Sequence, residues 1–163
     1  MANALQTSVV LYAMLAGIAQ DPHRLYYWHH LSETLAGLGE VEEALAVSAE
    51  GFRLAGLAAP SDMRDAMAAL LAVTHARLLI GEGEDPIPTI DAGSAFFSDN
   101  PQLRFLRARA LLDRGEIDGA IELLRALADI DSRSFADSRM AFDRRLFDVY
   151  APDLLGVAFL RQG

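Results

Sequence analysis

The stretch Trp28–Leu45, WHHLSETLAGLGEVEEAL, decides how the chain is read. Trp28, Leu31 and Leu35 recur at spacings of three and four, the period at which side chains share one face of an α-helix. Gly39 breaks that pattern, and a second apolar pattern opens at Val41. Two histidines and a glutamate, His29, His30 and Glu33, ride on the first helix. The stretch is therefore either a metal-binding helix or one helix-turn-helix unit whose histidines line a surface.

The surrounding composition favours the second reading. Alanine and leucine dominate, while valine, isoleucine and threonine never form an alternating run, so helix is expected throughout. A chain of 163 residues with 52% hydrophobic and 23% charged side chains makes a single folded domain, 1–163. The 23 acidic against 14 basic side chains give a net charge of −9, a field that repels phosphate backbones, so no nucleic acid partner is expected. The chain has no cysteine, which excludes disulfides, thiolate metal sites and thiol nucleophiles, and the cytoplasm is the expected compartment. The run SVVLYAMLAGIA, residues 8–19, is too short to span a bilayer, and no basic residue precedes Arg24. It reads as a buried core helix, and no membrane association is expected.

Punctuation divides the chain into seven or eight helices. Asp21-Pro22 closes the first and opens the second; Gly39 ends that one, and AAPSD ends the third, with Ser61 or Asp62 capping a fourth that runs to about Ile80. GEGEDPIP is a loop, SDNP a further cap, and Gly115 separates helical patterns at Pro101–Arg114 and Ile117–Asp129. Pro152 starts or kinks a last helix ending at Gly163. Short connections between so many helices are those of helical hairpins.

Aligned on their glycines, three segments share a register: Trp28, Leu31, Leu35, Gly39 and Ala44; Ala108, Leu111, Gly115 and Ala120; Leu155, Gly156, Phe159 and Gly163. A large residue stands four before each glycine, and a small one, Ser32, Ala108 or Gly156, seven before it. Large side chains fill a neighbouring helix's groove, small ones allow close approach, and glycine accommodates the turn. This pattern resembles the tetratricopeptide repeat, a 34-residue helix-turn-helix unit. Residues 25–57 match it best, although Ser48 stands where a large aromatic is usual and Gly51 replaces an alanine. Residues 101–131 form a second unit, about 62–97 a degenerate one turning at Gly81 or Gly83, and about 149–163 a C-terminal partial one. The resemblance implies an all-α fold of antiparallel hairpins stacked into a right-handed solenoid.

It also implies a non-catalytic scaffold that binds a protein or peptide in a concave groove. By register that groove takes Tyr26, His29, His30 and Glu33 from the first unit and Gln102, Phe105, Leu106 and Arg109 from the second, with Trp28 and Leu35 as core. The residues alone support no catalysis: there is no G-x-S-x-G elbow, phosphate loop or dinucleotide fingerprint. His29 and Glu33 share a helix face, but no H-E-x-x-H motif accompanies them and no third ligand is located, so neither metal nor cofactor is expected. GEGEDP reads as a solvated acidic turn, and FADSRMAFDRRLFD, residues 135–148, as a salt-bridged exposed face, with an anion site at Arg139, Arg144 and Arg145 the weaker alternative. Two other readings stay open. The tail DRRLFDVYAPDLLGVAFLRQG is similar to helical repeats behind the catalytic domain of some bacterial glycosyltransferases, which would make the chain a regulatory or substrate-positioning segment of a larger enzyme. The other is a homodimer in which the exposed ends of two chains cover each other.

Overall fold

The computed structural model describes residues 2–137, 140 and 142–163, the first seven of these by their backbone alone. Among the described residues the chain is all-α: α1 (Ala2–Gln20), α2 (Leu25–Leu38), α3 (Val41–Leu57), α4 (Asp62–Glu82), α5 (Ile87–Phe96), α6 (Pro101–Asp113), α7 (Ile117–Ala128), and a π-helical turn (Leu146–Tyr150) that continues into α8 (Ala151–Gln162). Each helix packs on the next through α5 to α6 and α7 to α8, except that α7 and α8 are separated in sequence by an irregular segment. Alternate helices also touch: α2 with α4, α4 with α6, and α6 with α8.

Three helices end in the same way. Gly39, Gly83 and Gly115 have φ of 83°, 74° and 78°, a left-handed conformation that costs glycine nothing. The N–H after each glycine reaches back over the turn: Glu40 to Leu35 O at 3.0 Å, Glu84 to Leu79 O at 2.8 Å, Glu116 to Leu111 O at 2.9 Å. These are Schellman caps, which satisfy carbonyls the helix leaves unpaired. Seven residues before the glycines stand Ser32, Ala76 and Ala108, all fully buried. The segment 62–97 thus carries the same first-half pattern as its neighbours, with Gly83 and not Gly81 at the turn.

Ala44 and Ala120, five residues past their glycines, are also fully buried. At Gly51 in α3 there is no room for a side chain: a Cβ there would lie 2.7 Å from Trp28 Cβ and 3.0 Å from Leu71 Cδ2. Ser48 is fully buried beside His75 of α4, whose Nδ1 lies 2.8 Å from Ser48 Oγ. Ser48 Oγ also lies 3.0 Å from Leu45 O, and which of the two its hydroxyl serves follows the tautomer of His75.

Several expectations are corrected. The first helix is not buried: among the described residues α1 packs on α2 alone, and Val9, Tyr12 and Leu15 are 66%, 77% and 55% exposed. An apolar sequence shows that a helix needs covering, and α1 has one neighbour to do it. Asp21 does not cap α2; it accepts the His23 N–H at 3.2 Å in a turn before the helix. Ser61 and Asn100 do cap, accepting from Arg64 N and from Gln102 and Leu103 N. Gly156 is exposed with nothing near it, and Ala158 takes the fully buried place in α8, so the third glycine register does not carry over. Leu35 is half-buried and Trp28 packs at the edge of the core, its Nε1 donating to Pro22 O at 2.8 Å.

Residues 135–145 are not a salt-bridged helical face. Where described they are irregular before Arg145, and their aromatics turn inward: Phe135 packs against Phe142 and Phe147, with ring centroids 5.5 and 4.9 Å apart, and Phe142 against Phe97. Arg145 is bound to Asp143 at 2.7 Å and lies over the Tyr150 ring, which removes it from an anion site; Arg139 lies outside the described residues. Asp85 of the acidic turn is paired with Arg114 at 2.5 Å and accepts the Ile87 N–H.

Candidate interaction grooves

The alternate helices place the predicted residues in two separate neighbourhoods, with α4 between them. At the first, α2 meets α4. Thr74 donates to Glu33 Oε1 at 2.5 Å, and Arg77 pairs with both Glu33 oxygens at 2.8 and 3.0 Å. Burial would raise the Glu33 pKa, but the Thr74 hydrogen bond and the Arg77 charge outweigh it, and the carboxyl titrates below its ordinary range. Glu33 is thus a cross-brace between helices.

One turn earlier, His29 is half-buried, and its Nδ1 is enclosed without a hydrogen-bond partner among the described residues. Burial lowers its pKa; Glu33 opposes this, while His30 and Arg77 add to it. The neutral imidazole is therefore favoured. His30 stacks on Tyr26 with centroids 4.1 Å apart, and Tyr26 is 48% exposed. Beside Tyr26 the starts of α2 and α4 enclose a groove of about 550 Å³, lined by Leu25, Met63 and Met67 and rimmed by Arg24 and Arg64. Sequence reasoning missed Met63 and Met67, although their i, i+4 spacing was a signal.

At the second neighbourhood, α6 meets α8. Phe105 and Arg109 line an open groove of about 420 Å³ with Tyr150, Asp153, Leu154 and Val157. Arg109 is exposed, and among the described residues neither it nor Asp153 has an ion-pair partner. Leu106, expected on the same face, is in the core with Leu103 and Phe97. Gln102 is half-buried with its Oε1 enclosed and without a partner among the described residues, outside the groove lining. The groove's far wall was legible as Tyr150, Leu154 and Val157, at i, i+4 and i+7.

Among the described residues no three His, Asp or Glu side chains are close enough to hold a metal, and no helix is long and apolar enough to cross a membrane. No known family model matches the chain, and no curated protein is significantly similar to it.

Proposed function

We propose that the chain is a non-catalytic protein-interaction module of the cytoplasm. In this reading it is a tetratricopeptide-like right-handed stack of hairpins that takes an extended peptide or a partner helix along α2, α4, α6 and α8. The observation that carries this is the contact of alternate helices with open grooves at both ends of the row. The repeated Schellman caps and the recurring buried small residue support the same stacking. Each groove combines apolar walls with charged side chains: Tyr26, Met63 and Met67 near Arg24 and Arg64, and Phe105, Leu154 and Val157 near Arg109 and Asp153. That mixture suits a segment with apolar anchors flanked by charge.

The test is selection of binders from a displayed random-peptide library against the full chain, followed by affinity measurement on single variants. Phe105→Ala and Tyr26→Ala are expected to weaken the selected peptides by about tenfold or more, as loss of an anchoring aromatic does. Arg109→Ala should weaken acidic peptides selectively, and far-ultraviolet circular dichroism should be unchanged in all three. Peptides whose affinity none of the three variants alters would overturn the groove assignment.

A further inference from the structure

The least accounted-for surface lies outside both grooves, on α1. One side of this helix is committed to the fold: Leu11, Met14 and Ile18 are half-buried, and Gly17 lies so close to Tyr27 that a Cβ would meet the ring at 2.7 Å. The opposite side carries Val9, Tyr12, Ala16 and Ala19 at spacings of three, four and three, with exposed Leu15 beside them. That is the seam one helix presents to another. A helical stretch apolar all round, as Val9 to Ala19 is, belongs in an interior, and among the described residues α1 has only half of one.

Charge identifies the occupant. From Ala2 to Gln20 there is no charged residue, in a chain whose net charge is −9. The net charge disfavours association of two copies in general, while this face brings no like charges together. Another exposed apolar set, Val157, Phe159 and Leu160 on α8, sits among Asp153, Arg161 and the Arg125 that covers Phe159. Pairing α1 with a second α1 is also isologous and closes at two copies, whereas α1 on α8 would propagate.

We infer that two copies of this chain associate through an antiparallel pairing of their α1 helices, centred near Tyr12. The direction follows from where the nearest charges lie. Asp21, His23 and Arg24 cluster past the C-terminal end of α1. A parallel pair would set Asp21 against Asp21. An antiparallel pair separates the two clusters by about the helix length, ~28 Å, well beyond the ~8–10 Å over which salt screens charge. It also aligns the helix dipoles favourably.

The experiment is the solution mass of the full chain by sedimentation equilibrium, with single substitutions on exposed α1 positions. The expected mass is twice 17.7 kDa, about 35 kDa. Tyr12→Glu should weaken association by about 100-fold or more without loss of helicity, since it sets a carboxylate into the apolar seam. Leu160→Glu, on the opposite end, should leave the dimer intact. Because the chain has no cysteine, an introduced one reports geometry. Tyr12→Cys should form an intermolecular disulfide on oxidation, whereas Ala19→Cys, with partners ~20 Å apart in an antiparallel pair, should not. A monomer at micromolar concentration, dissociation by Leu160→Glu and not by Tyr12→Glu, or equal crosslinking at both cysteines would each overturn the inference. So would a monomer that co-sediments with neutral phosphatidylcholine vesicles, which would assign the face to lipid.

Discussion

The two junctions between alternate helices are built from similar parts to opposite ends. Where α2 meets α4, Gly51 lets α3 press against Trp28 and Leu71, and Glu33 ties the helices through Thr74 and Arg77. Where α6 meets α8, Phe105 and Tyr150 line an open groove, and Arg109 and Asp153 face it without ion-pair partners among the described residues. The same residue types serve closure at one junction and leave the other open. At the first, the protein braces the middle of the junction and leaves a groove only beside Tyr26 at the helix starts; at the second, charged and aromatic groups line the junction itself.

The largest effect should come from disturbing the closed junction. Gly51→Ala would force a Cβ into Trp28 Cβ and the Leu71 methyls, and overpacking of this kind costs about 1–3 kcal/mol, against at most ~1 kcal/mol gained from helix propensity. Denaturant midpoints should fall accordingly; a midpoint at or above that of the parent would show that the junction yields easily. Glu33→Ala removes bonds to Thr74 and Arg77 that tie two helices, and a loss of about 1–2 kcal/mol is expected. Asp153→Ala, lacking such partners, should change stability by about 0.5 kcal/mol or less, the contribution of a carboxylate in a first helical turn. Equal losses in the two variants would erase the distinction between junctions. Gly156→Ala should go the other way and raise stability by up to ~1 kcal/mol, because alanine suits a helix interior and meets nothing there. A destabilised variant would mean that the α8 surface is occupied.

These contrasts also explain what could be read from the sequence. The hairpins were legible because their ends are written in local chemistry: a left-handed glycine, a leucine four residues before it and a small residue seven before it. Gly81 and Gly83 were equivalent on paper, and only the backbone dihedral of Gly83 separates them. The inward packing of Phe135 and Phe142 was not legible, since it depends on Phe97 and Phe147, which come from other parts of the chain. For α1 the sequence recorded the need for burial but not the number of neighbours. The groove residues of α2 and α6 were each placed on helices by register. That they fall into two sites follows from α4 lying between them, a long-range fact with no short-range signal.

The smallest expected effect is a pH dependence located at the closed junction. His29 meets His30 and Glu33 on its own helix and the charge of Arg77 on α4; burial, His30 and Arg77 disfavour its imidazolium, and Glu33 offsets only part of this. Its folded pKa thus lies below the ordinary imidazole value of about 6.5. The unfolded chain takes up the proton first as pH falls, so this contribution to stability is complete above about 6.5 and declines below it. His75, lowered by burial, acts in the same direction. Glu33 is lowered as well, but its contribution is lost only under acid conditions, below the ordinary carboxylate range, and does not overlap the histidine window. Urea midpoints measured from pH 7.5 to 5.5 should therefore fall with pH, and more gently in His29→Phe, which retains His75. An unchanged slope in that variant would show that His29 is solvated enough to titrate normally, and that the α2–α4 junction is as open as the one between α6 and α8.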